Sequence, residues 1–128
     1  MDIANPSEEH SMLREMVRDF VNEFVEPQAL EHDRDEKFNL ELLRSMGEMG
    51  LLGLTVDESY GGAGLDATAA VIVHEELSAS DPGFALAYLA HSMLFVNNLE
   101  QNGSDAQRSL IMPKVCSGEW ISAMAMSE

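Results

Sequence analysis

Three places along the chain hold residue types that could do chemistry: the run His74-Glu75-Glu76, the isolated His91, and the single cysteine, Cys116. A histidine beside two carboxylates is material for a metal site or an acid–base pair. A helical metal site needs a further ligand three or four residues away, and no second histidine completes such a pair. An exposed helix face is therefore the expected role of this run. His91 lies in an apolar stretch, where a general base competes with a hydrogen-bonded core histidine; the core role is expected. Cys116 has no histidine beside it to make it a thiolate and reads as a structural thiol. A fourth feature, Tyr60-Gly61-Gly62-Ala63-Gly64, is glycine-rich but lacks the G-x-G-x-x-G spacing and follows no predicted strand. A sharp turn accounts for it better than a phosphate cradle. No catalytic residue and no metal ligand is expected in this chain.

The elements that position these residues are helical. Met12, Leu13, Met16, Val17, Phe20, Val21, Phe24 and Val25 recur at i, i+1, i+4 and i+5, one amphipathic stripe that Ser7 can cap. Pro27 should kink or restart that helix, and the charged run from Glu31 to Lys37 reads as a solvated helix end and turn. A second helix is predicted from Leu40 to Met49, capped by Asn39, with Leu42, Leu43 and Met46 inward and Gly50 ending it. Asp66 caps a third helix through Ala79, with Ala70, Val73 and Leu77 facing the core. Pro82 opens a fourth, which ends near Asn102-Gly103. Ser104 caps a fifth, with Leu110 and Ile111 inward and Pro113 bending or ending it early. From Trp120 the loosely alternating residues suggest the start of a strand, and a lone strand has no ladder partner. The expected architecture is all-α, about five helices over residues 1–119. Residues 120–128 then open a β-strand of a following domain, as if the chain were part of a larger protein.

Composition narrows the function class. The 128 residues suit one domain with a modest core. Seven Lys and Arg against 23 Asp and Glu give a net charge of −16, which argues against nucleic acid and anionic membrane as partners. The uncharged stretch Pro82–Leu99 contains His91, Ser92, Asn97 and Asn98, so a buried helix is expected there and not a membrane span. One cysteine precludes an internal disulfide and suits a reducing compartment. The acidic amino terminus resembles neither a secretory leader nor a transit peptide. A cytoplasmic location is expected. Nine methionines are read as core filling.

The order of short motifs resembles the amino-terminal domain of the acyl-CoA dehydrogenases from about Glu8 to Glu128. They include Val25-Glu26-Pro27, Met46-Gly47-Glu48-Met49-Gly50-Leu51-Leu52-Gly53-Leu54, Glu58-Ser59-Tyr60-Gly61-Gly62-Ala63-Gly64 and Glu75-Glu76-Leu77-Ser78. They close with the run from Leu110 to Glu119 and with Ala125-Met126-Ser127-Glu128. The resemblance implies FAD as cofactor, with the last four residues opening a flavin-loop signature. Met126 would offer its backbone and Ser127 its hydroxyl to the flavin, and Met124 would flank flavin and thioester. The helix carrying Leu86-Ala87-Tyr88-Leu89-Ala90-His91-Ser92 is similar to that of the short branched-chain members, which implies that Leu86, Ala90 and Leu94 line an acyl pocket. The spacing of four puts these on one helix face, and the same positions would serve equally as helix packing.

The implied reaction removes the α-proton of an acyl-CoA by a glutamate while hydride leaves the β-carbon for the flavin, giving a 2-enoyl-CoA. That glutamate belongs to a later helical domain, so the 128-residue chain alone is expected to be inactive. The implied partners are an acyl-CoA substrate, electron-transfer flavoprotein and further copies of the chain in a homotetramer. A non-catalytic helical binding or assembly module, an acyl-CoA oxidase and a decarboxylating relative remain open alternatives.

Overall fold

In the computed structural model, which describes residues 2–127, helix α1 (Glu8–Phe20) begins at its local cap: Ser7 Oγ accepts from the His10 amide at 3.3 Å. Glu8 and Glu9 stand at the positive end of the helix. Its apolar stripe is wider than the contact that covers it. Val17, Phe20, Val21 and Val25 are buried, whereas Met12 (64% exposed) and Phe24 (50%) turn outward. Helix α4 (Ala67–Ser80) packs against α1 and covers only part of the stripe, and the rest stays exposed. A π-helical turn, Val21–Val25, joins α1 to α2 (Glu26–Arg34), which restarts with Pro27 in its first turn. The wider turn leaves room for the proline ring and tolerates its missing N–H.

Helix α3 (Leu40–Ser45) is shorter than the Leu40–Met49 expected. Asn39 caps it and Leu43 and Met46 are buried, but residues 46–50 form turns that end at Gly50, with φ +74°. At Gly47 a side chain would run into the backbone carbonyl of Ser117, so the two chain segments meet where only glycine fits. Residues 51–56 then cross the interior, burying Leu51, Leu52, Leu54 and Val56.

Asp66 caps α4 (Ala67–Ser80), accepting from the Ala69 amide at 2.9 Å, and Ala70, Val73 and Leu77 face the core as expected. Asp81 caps α5 (Pro82–Leu89), with Pro82 at its first position. The rod continues through a π-helical stretch, Ala90–Asn97, into α6 (Asn98–Asn102). Within it the Ser92 hydroxyl donates to the Tyr88 carbonyl at 2.8 Å, a back-bond of the kind that loosens an α-helical ladder.

Helix α7 (Asp105–Ser117) opens on a capping box between Ser104 and Gln107. Ile111 packs against the core as expected, but Leu110 does not, and Pro113 does not end the helix early. Leu110 is 66% exposed; the buried residues are Met112, Val115 and Cys116. The helix runs to Ser117 before Gly118 closes it at φ +85°. Ser109 and Pro113 both face solvent, where water can take the bond that the Ser109 carbonyl loses. Beyond Trp120, residues 121–127 have no regular secondary structure, and there is no strand among the described residues. Glu128 lies outside them.

Candidate functional site

The candidate site is built on the rod formed by α5, the π stretch and α6. Tyr88 pins it to the interior by donating its hydroxyl to the Leu51 carbonyl at 2.6 Å, and burial pushes the phenol pKa upward. His91, fully buried, spans two further segments. Its Nε2 lies 3.0 Å from the Val115 carbonyl, and its Nδ1 lies 3.0 Å from both the backbone nitrogen and the hydroxyl of Ser122. A carbonyl can only accept, so Nε2 carries the proton and Nδ1 accepts from Ser122. Burial lowers the pKa of the ring and keeps it neutral. The expected core role of His91 holds, with both nitrogens occupied, and the ring is not a free general base.

Leu86, Ala90 and Leu94 lie along this rod at the expected spacing. Leu86 is 63% exposed, Leu94 42%, and Ala90 is half-buried. Both leucines turn outward from the interior of this chain. The carboxyl-terminal segment leaves α7 beside this rod. The Trp120 amide donates to the Lys114 carbonyl at 3.0 Å, the Lys114 ammonium stands 4.9 Å over the Trp120 ring, and Ile121 packs on the core. After the Ser122 contact with His91, Met124 is half-buried and Met126 and Ser127 are exposed. Among the described residues, the backbone of 123–127 and the Ser127 hydroxyl make no hydrogen bond. Neither of two apolar grooves elsewhere, about 660 Å³ at Phe20, Phe24, Leu42 and Met49 and about 470 Å³ at Val71, His74, Leu89 and Met93, is lined by these predicted positions.

The run His74-Glu75-Glu76 corrects the expectation of an exposed face. The Glu76 carboxylate is buried between two guanidinium groups, with Arg14 Nη1 at 2.7 Å and Arg18 Nη2 at 2.9 Å from its Oε1, and Arg18 Nε 3.0 Å from its Oε2. The cations of Arg18 and Arg14 hold its pKa below the ordinary carboxylate range against the opposing effect of burial. Glu75 reaches Arg14 at 2.8 Å. Glu76 is a cross-link between α1 and α4, and it is not poised to move a proton. His74 donates to the Ala70 carbonyl across 2.6 Å and its ring leans on Tyr88. The two arginines four residues apart on α1 were visible in the sequence; their shared partner on α4 was not.

Cys116 is buried, with its thiol pKa pushed up to about 11 by burial and then by Glu100, consistent with a structural thiol. The glycine loop spends its amides internally: Gly62 donates to the Asp57 carbonyl, Ala63 to that of Gly53, Gly64 to that of Val56 and Leu65 to that of Leu54, between 2.8 and 3.2 Å. It is a turn, as expected. Among the described residues there is no cluster of three groups able to hold a metal, and no helix long and apolar enough to cross a membrane.

Comparison with known proteins matches residues 7–119 to the family model described as acyl-CoA dehydrogenase, N-terminal domain. The mitochondrial isovaleryl-CoA dehydrogenase of Pongo abelii is 44% identical over 124 residues, which is 95% of this chain and 29% of that protein. The chain thus spans under a third of that relative's length. Among solved structures, the acyl-CoA dehydrogenase of Bacillus anthracis complexed with FAD superposes with a TM-score of 0.88 at 34% identity, over 95% of this chain and 21% of that one. A chain from work on the electron transferring flavoprotein of Acidaminococcus fermentans gives 0.87 at 29% identity, over 94% and 32%.

Proposed function

The chain belongs to the acyl-CoA dehydrogenase family, and from that premise we propose that it supplies one wall of the acyl pocket and the first flavin-contacting segment of an FAD-dependent acyl-CoA dehydrogenase. In this reading residues 1–119 are the helical amino-terminal domain, and residues 120–128 are the first strand of a middle β domain whose other strands would complete the ladder.

One observation carries the proposal: a single rod presents the apolar row of exposed Leu86, half-buried Ala90 and exposed Leu94, and through His91 holds the segment that bears Met124, Met126 and Ser127. An apolar row on the uncharged stretch Pro82–Leu99 takes an acyl chain by desolvation, at about 0.8 kcal/mol per buried methylene. Ala90, the smallest of the three, leaves lateral room for a short or branched chain between the two leucines. The Met126 backbone and the Ser127 hydroxyl would hold the flavin through hydrogen bonds, and Met124 would flank it. The flavin, when bound, accepts the hydride from the acyl β-carbon. This chain's own share is to bind the acyl group, exclude water from it and orient it. In this reading the glutamate that takes the α-proton comes from a later helical domain, as the family resemblance implies; Glu76 is committed to its arginines.

The name of the isovaleryl-CoA dehydrogenase relative favours a branched acyl-CoA as substrate, and the electron transferring flavoprotein neighbour supports electron-transfer flavoprotein as acceptor. A homotetramer and a cytoplasmic location complete the proposal. The test is product analysis with the complete protein across straight and branched acyl-CoAs. A 2-enoyl-CoA formed with reduction of the acceptor is expected. Hydrogen peroxide would shift the assignment to an oxidase, carbon dioxide to a decarboxylating relative, and a colourless protein without turnover to a non-catalytic helical module.

A further inference from the structure

We infer that His91 is a positioning residue: its Nδ1 acts as the acceptor that fixes where the segment Ser122–Ser127 leaves the helical body, and therefore which backbone groups of that segment are offered outward. The geometry consists of three bonds on one buried ring. Nε2 donates to the Val115 carbonyl in the last turns of α7, and Nδ1 takes both the Ser122 amide and the Ser122 hydroxyl, all at 3.0 Å. The donor bond to α7 fixes the tautomer, and that tautomer alone leaves Nδ1 a lone pair for Ser122. Helix α7, the substrate-facing rod and the carboxyl-terminal segment are thereby locked to one side chain. Ser122 is the last residue of the segment with a hydrogen bond to the body among the described residues. The direction of 123–127 is thus decided at this contact. Ala90, the residue before His91, lies in the proposed acyl row, so the same turn of the rod relates substrate wall and flavin segment. This inference deepens the flavin reading above and rests on it for its functional consequence.

Two substitutions separate the halves of the ring. His91→Asn places a carbonyl oxygen near the Nδ1 position and gives up the bond to Val115. His91→Gln places an amide nitrogen near the Nε2 position and gives up the acceptor for Ser122. Amide hydrogen exchange on the chain should show Ser122 opening about tenfold faster in His91→Gln, the loss of one buried hydrogen bond, with α5 amides unchanged. His91→Asn should keep the protection of Ser122. Equal protection of Ser122 in the Gln variant and the unsubstituted protein, or equal loss in both variants, overturns the inference.

A measurement that needs no variant guards against misfolding: nitrogen chemical shifts of the His91 ring should show a proton on Nε2 and an accepting Nδ1. A proton on Nδ1 overturns the inference equally. In the complete flavoprotein, His91→Gln should release FAD about tenfold more readily than His91→Asn, read by recovery of flavin fluorescence. The exchange pattern without any change in FAD release leaves the anchor standing and removes the flavin role proposed for Met124, Met126 and Ser127.

Discussion

Replacing Glu76 by alanine tests the cross-link between α1 and α4 and the reason it is worth having. Glu76 and Arg14 have side chains 11% and 13% exposed, whereas Arg18 is 56% exposed. Breaking a fully buried ion pair by removing one partner costs about 3–5 kcal/mol. Two features of the site lower that figure. Arg18 returns to water once released, and Arg14 keeps Glu75 at 2.8 Å, the Asn5 side chain at 2.7 Å and the Ala4 carbonyl at 3.2 Å. What remains is the lost charge-assisted bond from Arg14 Nη1 and the space left beside it, a loss of about 2–3 kcal/mol. With a urea slope of about 2 kcal/mol per molar, the unfolding midpoint should fall by roughly 1–1.5 M at pH 7. The pH dependence gives a second handle. The folded pKa of Glu76 is depressed, so its contribution is complete above its unfolded pKa of about 4.3 and is lost as pH falls through the lower folded value. The difference between Glu76→Ala and the unsubstituted protein should therefore shrink below about pH 4. A loss under about 0.5 kcal/mol at pH 7, the range of an ordinary surface substitution, or a loss that stays constant down to pH 3, would refute the reasoning.

Three further outcomes are expected. Ala90→Phe should lower kcat/KM of the complete protein for branched acyl-CoAs about 10–200-fold, the range for one pocket contact, while urea stability changes little because Ala90 is only half-buried; kinetics across a chain-length series checks this. Gly53→Ala drives a methyl group into the Cys116 thiol and should destabilise by about 1–3 kcal/mol, and with the Cys116 pKa raised to about 11, alkylation at pH 8 should follow unfolding and not precede it. Because burial depresses the folded pKa of His91, the unfolded chain binds its proton more readily, so stability should fall as pH drops below about 6.5 toward the folded value; His91→Asn should remove that part of the slope in pH-resolved urea titrations.

Much of the helical plan was legible because capping is local chemistry. Ser7, Asn39, Asp66, Asp81 and Ser104 each accept from an amide three residues on, or close to it, and a reader of the chain can see donor, acceptor and spacing together. Periodicity was a weaker guide wherever a helix had more apolar surface than neighbours to cover it. Half of the α1 stripe stays outside, and on α7 the inward residues are Met112, Val115 and Cys116 and not Leu110. The rotation of a helix about its axis depends on what packs against it, and that partner is distant in the chain. The two prolines differ: Pro27 restarts the helix as expected, whereas Pro113 does not end its own. Pro27 starts a new helix because a π-helical turn precedes it, and Pro113 sits inside α7 because it faces water.

The candidate site divides along the same line. Leu86, Ala90 and Leu94 share a face by spacing alone, but only the fold shows that the two leucines look away from the core. By itself the sequence determined the family motifs, the caps, the helix count and the strongly acidic charge, all carried by residue type and short spacing. The tertiary structure alone decided the partners. Arg14 and Arg18 meet Glu76 across 62 and 58 residues, and His91 meets Val115 and Ser122 across 24 and 31. Such pairings arise when helices close on a common interior and each buried polar group must find a mate. Which mate it finds is set by the packing of the whole domain.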